Sequence, residues 1–230
     1  MNKIPMTVLM SVAFAAPAFA RDAKITMRQP YEAAKTPVLF VHGLWDTEQT
    51  WLPMLHALER DPALSAKYQF WRFEYDTYMP FWVGAAELRS ELDRINREYP
   101  KHKKIVLVGH SMGGLISRMV LTDYGGKART DVQREIFIAA PHRGSDWGKL
   151  ALTPALEALS KSNAAYAILD SLKVRVPFHL IVGKFDELVD SSSSHLDGAV
   201  SKKVVNTMHA AHWTQQGINE VKRILTEARV

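Results

Sequence analysis

The sequence predicts an α/β chain: a mostly parallel sheet of about six strands with helices on both faces. Three observations carry that prediction. Short apolar runs, Val38-Leu39-Phe40-Val41 and Ile105-Val106-Leu107-Val108 among them, show no polar face, as strands covered on both sides require. Helical periodicity alternates with these runs, as at Leu88, Leu92, Ile95 and Tyr99. The residue types able to do chemistry collect just past strand ends: His42-Gly43, the GHSMGG turn, the PHRGS loop, Asp186 and His209. Open parallel sheets bind ligands beyond their C-terminal strand ends.

Taken in order, Pro37 to Val41 reads as the first strand, closed by His42-Gly43. The aromatic-rich, roughly alternating run Tyr68 to Tyr75 is the second. Leu88 to Tyr99 is an amphipathic helix, stopped by Pro100. Ile105 to Val108 is a central strand, and Ser111 to Tyr124 a helix closed by Gly125-Gly126. Glu135 to Ala140 is the fourth strand, followed by Ala/Leu-rich helical material over 146–173. Val176 to Val182 and Lys203 to Asn206 complete the sheet, and Ile218, Val221 and Leu225 mark a last helix.

The chain has 230 residues, with 47% hydrophobic and 23% charged residues and a net charge of +5. That length and composition fit one folded domain with a sizeable core, spanning 21–230, and exclude a disordered chain. Lys101-His102-Lys103-Lys104 is the only dense basic run and precedes a strand, so it reads as a solvated loop. No nucleic-acid motif, phosphate loop or dinucleotide fingerprint is present, and no nucleic acid or cofactor is expected. The positive charge allows transient contact with anionic membrane surfaces. Nothing in the pattern fixes an oligomeric state.

Residues 1–20 read as a secretory signal peptide. Lys3 is the positive start, Ile4 to Ala16 the apolar stretch, and Ala18-Phe19-Ala20 a small-x-small cleavage pattern before Arg21. The apolar run is short for a bilayer span. Cleavage removes Lys3 and lowers the net charge from +5 to +4. The chain has no cysteine, so an exported product would be held by its core alone. Export to the periplasm or beyond is the expectation.

Glycine weakens helices and gains nothing in strands, yet LVGHSMGG surrounds one serine with three glycines. Gly109-His110-Ser111-Met112-Gly113 is G-x-S-x-G set between an apolar strand and a helix. In that context the serine sits at the apex of a strained turn with its hydroxyl exposed, and side chains two residues before and after it would clash. Ser111 is therefore the candidate nucleophile. The competing role is a serine N-cap with glycines for packing.

The chain resembles the lipase/esterase branch of the α/β hydrolases. The resemblance rests on G-x-S-x-G together with PHRGS at 141–145, SSHLDGA at 193–199 and the FEYDT stretch at 73–77, and spans about residues 36–229. It implies a serine hydrolase that cleaves carboxylic esters through an acyl-enzyme.

A serine hydroxyl needs a base, and the base needs an orienting carboxylate. In this fold the chain order is Ser, then Asp or Glu, then His. Asp186 directly follows the strand FHLIVG, and GKFDELV resembles the superfamily's G-x-x-D-x-x-V acid segment. Asp190, Glu187 and Asp146 compete with it. Of the later histidines, His195 precedes the last strand and suits a structural role, while His209 and His212 both lie where the base belongs. The resemblance of EVKRIL at 220–225 to the family's closing helix favours His209. His212 then packs or sits at the surface.

The amide of Met112, next to the nucleophile, is one expected oxyanion donor. His42-Gly43 resembles the HG pair of lipases, which implies the amide of Leu44 as the other; His42 itself braces the loop. Tyr75, Tyr78, Phe81 and Trp82 lie near a strand end, where they would line an acyl pocket or else pack in the core. Leu150, Leu152, Leu156 and Leu159 could form one short amphipathic lid within the roughly thirty residues between His142 and Val176, too few for a large cap. No metal-ligand spacing stands out; His209-x-x-His212 alone is a weak pair. The substrate expected is a small-molecule or lipid ester. A thioesterase or amidase on the same residues, or a binding protein without catalysis, are the rivals.

Overall fold

The computed structural model describes residues 22–227. The expected signal peptide, residues 1–20, lies outside that range. The elements in order are β1 (Lys24–Met27), β2 (Thr36–Val41), α1 (Leu52–Glu59), α2 (Pro62–Ser65), β3 (Tyr68–Glu74), α3 (Phe81–Glu98), β4 (Ile105–His110), α4 (Met112–Val120), β5 (Val132–Ile138), α5 (Pro154–Ala158), α6 (Ala164–Ser171), β6 (Phe178–Gly183), β7 (Ser201–Val205) and α7 (Gln215–Glu227).

The strands form one sheet in the order β1-β3-β2-β4-β5-β6-β7. Every pairing is parallel except that of β1, which runs antiparallel to β3 along the edge. The sheet thus has seven strands against the expected six. The extra one, KITM, is too short to show an apolar run, and only Ile25 of its four residues is buried. All six residues of β2, β4 and β6 are buried, as apolar runs predict for covered strands.

Alternate side chains divide between two layers. Leu39, Val41 and Leu107 join the core under α3 and α4, where Leu88, Leu92, Ile95, Leu115 and Ile116 pack. Val38, Phe40, Val106 and Val108 face the opposite layer, with Met54, Leu55 and Leu58 of α1 and Ile218, Val221 and Leu225 of α7. Each closely packed layer removes apolar surface worth about 25 cal/mol per Å² from water. Among the described residues no helix is long and apolar enough to cross a membrane.

Several boundaries differ from expectation. Helix α3 starts at Phe81 rather than Leu88, because Phe81 turns into the core and Pro80, extended at ψ 146°, stands at the N-cap position without a side-chain cap. Helix α4 stops at Val120, and β5 ends at Ile138 where Ala139 takes φ +49°. The helical material over 146–173 divides into a 3-10 turn (Asp146–Leu150), α5 and α6. The four leucines do not share one lid helix: Leu150 and Leu152 are exposed, whereas Leu156 and Leu159 are buried.

After β2 the chain steps to β3 on one side, then returns to lay β4 on the other. The strand order reverses between β2 and β4, whose C-terminal ends open the crevice characteristic of such sheets. Val41 pairs with Gly109 there, so His42-Gly43 and His110-Ser111 emerge side by side.

Candidate active site

Ser111 occupies the corner between β4 and α4 with φ +51° and ψ −125°, a conformation L-residues avoid. Its amide donates to the Ile138 carbonyl at 2.9 Å, and its carbonyl accepts from the Gly114 amide at 2.9 Å. The flanking glycines are required by space. A Cβ on Gly113 would stand 2.3 Å from the Val41 carbonyl oxygen and 2.4 Å from that of His42. One on Gly109 would stand 2.7 Å from Gly114 Cα. Both obstacles are backbone and cannot rotate away. Trp45 (φ +57°) and Ala139 (φ +49°) also adopt left-handed backbone, so strain gathers at the ends of β2, β4 and β5.

The structure brings Ser111, His209 and Asp186 together. His209 Nε2 lies 2.9 Å from Ser111 Oγ, and His209 Nδ1 lies 2.9 Å from Asp186 Oδ2 and 3.1 Å from Oδ1. A carboxylate can only accept, so Nδ1 carries the proton and Nε2 offers its lone pair to the serine hydroxyl. Asp186 follows β6, and its side chain is 1% exposed. Its Oδ1 also accepts from the amides of Leu188 at 3.0 Å and Val189 at 2.8 Å, which fixes the carboxylate against rotation. His209 follows β7; its amide donates to Glu187 Oε2 at 3.3 Å and its carbonyl accepts from His110 Nε2 at 3.1 Å.

Of the competing acids, Glu187 reaches the His209 amide but not its ring, and the other two sit elsewhere. Asp190 pairs with Lys161 and caps the turn through the Ser192 hydroxyl and the Ser193 amide, contacts that hold its carboxyl far below the usual range. Asp146 pairs with Lys149 and Lys161 at the surface. His195 contacts Asp197. His212 is 1% exposed, with Nε2 on Thr50 Oγ1 at 2.8 Å; burial above all, and then the neighbouring His209, push its pKa down to about 3.

Met112 is the first residue of α4, so its amide has no acceptor within the helix. Leu44 lies in the loop after β2, beside Gly43, where an added Cβ would meet Ser111 Cβ at 3.0 Å. Tyr75 braces this loop. Its hydroxyl donates to the His42 carbonyl at 2.7 Å and its ring stacks on the His42 imidazole. Tyr75 and Phe81 are buried in the core, so neither lines an open pocket; Phe81 packs on Tyr166 and Trp82. Tyr78 and Trp82 remain half-buried, and the Tyr78 carbonyl accepts from the Ala155 amide of α5.

Sequence reading missed Glu135, a wholly buried carboxyl on β5 whose Oε1 accepts from the Gly109 amide at 3.1 Å. Burial drives its pKa well above the ordinary carboxylate range, so it stays neutral beneath the nucleophile turn. A glutamate inside a strand carries no signal of that role. The PHRGS and SSHLDGA segments prove to be neighbours, since Ser193 Oγ donates to the Gly144 carbonyl; Ser145 Oγ ties PHRGS also to the loop of Asp186, donating to the Leu188 carbonyl at 2.6 Å.

Among solved structures, a lipase from Bacillus licheniformis in its mature form superposes with a TM-score of 0.70 at 19% identity, over 88% of this chain and 96% of that one. A lipase-esterase related protein from Clostridium acetobutylicum gives 0.61 at 15% identity, over 88% and 99%. A bromoperoxidase from Bacillus anthracis gives 0.58 at 14% identity, over 84% and 92%. At such identities these likenesses establish the fold. No curated protein matches the sequence. The model of the alpha/beta hydrolase family matches residues 38–215, most of the chain, from within β2 through β7. By that match, with the reversed strand order and the serine turn at the crevice, the chain belongs to the alpha/beta hydrolase family.

Proposed function

We propose that this protein is a serine hydrolase that cleaves carboxylic esters through an acyl-enzyme. The single observation that carries the reading is the unbroken contact chain Ser111 Oγ–His209–Asp186, with both links at 2.9 Å. Ser111 Oγ attacks the ester carbonyl carbon while its proton passes to His209 Nε2. Asp186 stays ionised and stabilises the imidazolium. The oxyanion is met by the amides of Leu44 and Met112, donors fixed before the reaction begins. Collapse expels the alcohol, which takes the proton from His209 and leaves the acyl group on Ser111. Water then repeats the attack with His209 as base, releasing the acid and restoring the serine.

The lipase and esterase names among the structural neighbours agree with an ester substrate. The protein is exported, with Arg21 as the mature N-terminus; mass spectrometry of exported protein that still carries residues 1–20 would refute this. The test of the chemistry is labelling by a fluorophosphonate. The wild-type protein reacts at Ser111, Ser111→Ala does not, and its ester turnover falls on the order of 10⁶-fold with the fold intact. Near-normal turnover in folded Ser111→Ala would end the assignment.

A further inference from the structure

Beside the serine turn lies a second cluster that the ester chemistry does not use. One ring nitrogen each of His110 and His212 and a carboxylate oxygen of Asp46 lie within 4.8 Å of one another. The two imidazoles are 4% and 1% exposed, and their ring centroids are 3.8 Å apart. Neither Nδ1 has a hydrogen-bond partner among the described residues. Each ring is instead held by its other nitrogen. His110 Nε2 bonds the His209 carbonyl at 3.1 Å, and a carbonyl only accepts, so Nε2 carries the proton and Nδ1 a lone pair. His212 Nε2 contacts Thr50 Oγ1 at 2.8 Å. The Trp51 indole walls the pair, edge-on to His110 and tilted to His212. Asp46 is half-buried and gives the cluster its way in from solvent.

We propose that Asp46, His110 and His212 form a binding site for a divalent transition-metal ion of the zinc class. Two imidazole nitrogens and one carboxylate oxygen are a zinc-type donor set, whereas calcium and magnesium ask for oxygen throughout. Ligating histidines are oriented by a partner on the second ring nitrogen, the arrangement found at both rings here. Donors at about 2.0–2.1 Å from a tetrahedral ion lie roughly 3.3–3.4 Å from one another, inside the 4.8 Å that bounds these three atoms. A fourth position remains for water. The ligands come from the loop after β2, the last residue of β4 and the turn after β7, so the ion ties together the segments that carry Leu44, Ser111 and His209. The sequence hides the site because its three members are far apart along the chain, and His209-x-x-His212 is not the pair that forms.

The test uses untagged protein freed of metal by a chelator and then titrated with Zn(II) and Co(II). Binding of one equivalent is expected, with the visible bands of low-coordinate cobalt. At a hundredfold excess over Kd the Tm should rise by roughly 5–10 °C. Asp46→Asn keeps the acceptor for the Thr47 amide, and His212→Gln keeps a polar atom for Thr50. Each should weaken binding by about tenfold or more. Absence of one-to-one binding in the wild-type protein, as when the Nδ1 atoms merely hold a water, overturns the proposal, as does unchanged binding in both variants. Should a variant fail to fold, the wild-type stoichiometry and cobalt spectrum decide.

Discussion

Asp186 divides its carboxylate between two tasks: Oδ1 takes two backbone amides while both oxygens face His209 Nδ1. Asp186→Asn would present an N–H toward that nitrogen and favour the wrong tautomer, so turnover should fall by about 10³–10⁴-fold with little change in melting temperature. His209→Ala should match Ser111→Ala in severity. His212→Gln, which leaves the contact chain intact, should rank far above it when kcat/KM is compared, and the reverse order would move the base. Glu135 gives a pH-dependent prediction. Its carboxyl ionises near 4.5 in the unfolded chain but stays neutral to higher pH when folded. Its share of stability is complete below pH 4.5 and is lost as pH rises from there. Glu135→Gln keeps the acceptor for Gly109, so it should melt like wild type at about pH 4 and progressively higher than wild type toward neutral pH. A constant difference across that range would disprove burial of the neutral acid. At this scale the sequence showed Ser111, Asp186 and His209, whose chemistry ties them to strand ends. It did not show Glu135 or the inward turn of Tyr75, because burial of a polar side chain depends on what the rest of the chain packs over it.

Between β4 and α4 the backbone itself is the obstacle that selects glycine. Gly113→Ala drives a Cβ into the carbonyls of Val41 and His42, and neither β2 nor α4 can retreat without breaking register with its neighbours. The expected cost is about 3 kcal/mol or more. For a domain of this size that is a fall of about 6–12 °C in Tm, read from a thermal melt; a shift below a degree or two would mean that the turn is looser than its contacts indicate. The glycine spacing announces this turn because it falls between an apolar strand and a helix. Strands β2, β4 and β6 are equally legible from their apolar runs, which only His179 interrupts in β6. Helix α1 and strand β1 are not. The run LPMLHALE is apolar over most of its length and shows no contrast between faces, and β1 owes its existence to the free edge of β3.

Over the whole molecule, exposed apolar side chains collect around the crevice. Trp45, Phe185 and Met208 each stand next to a residue of the proposed machinery, and Trp147, Leu150 and Leu152 lie on the segment after PHRGS. Trp147 Nε1 donates to the Glu187 carbonyl, which anchors that segment beside the loop of Asp186. Leu156 and Leu159 are already packed into the core, and Ser145, Lys161 and the Tyr78 carbonyl tie the same stretch to the body. A cover that swings open at an oil surface must expose an apolar face that it hides when closed. Here Leu150 and Leu152 are exposed already, at 53% and 61%, and the buried leucines would have to leave the core. Small to medium acyl esters in solution should therefore be turned over without waiting for an interface. The measurement is ester hydrolysis followed through the solubility limit for a series of acyl lengths. The expected result is a rate that saturates smoothly below that limit, with kcat/KM highest for the shorter, dissolved esters. A sharp rise only once the substrate forms an emulsion would mean that the segment between β5 and β6 opens after all, and that its buried leucines are the face it exposes.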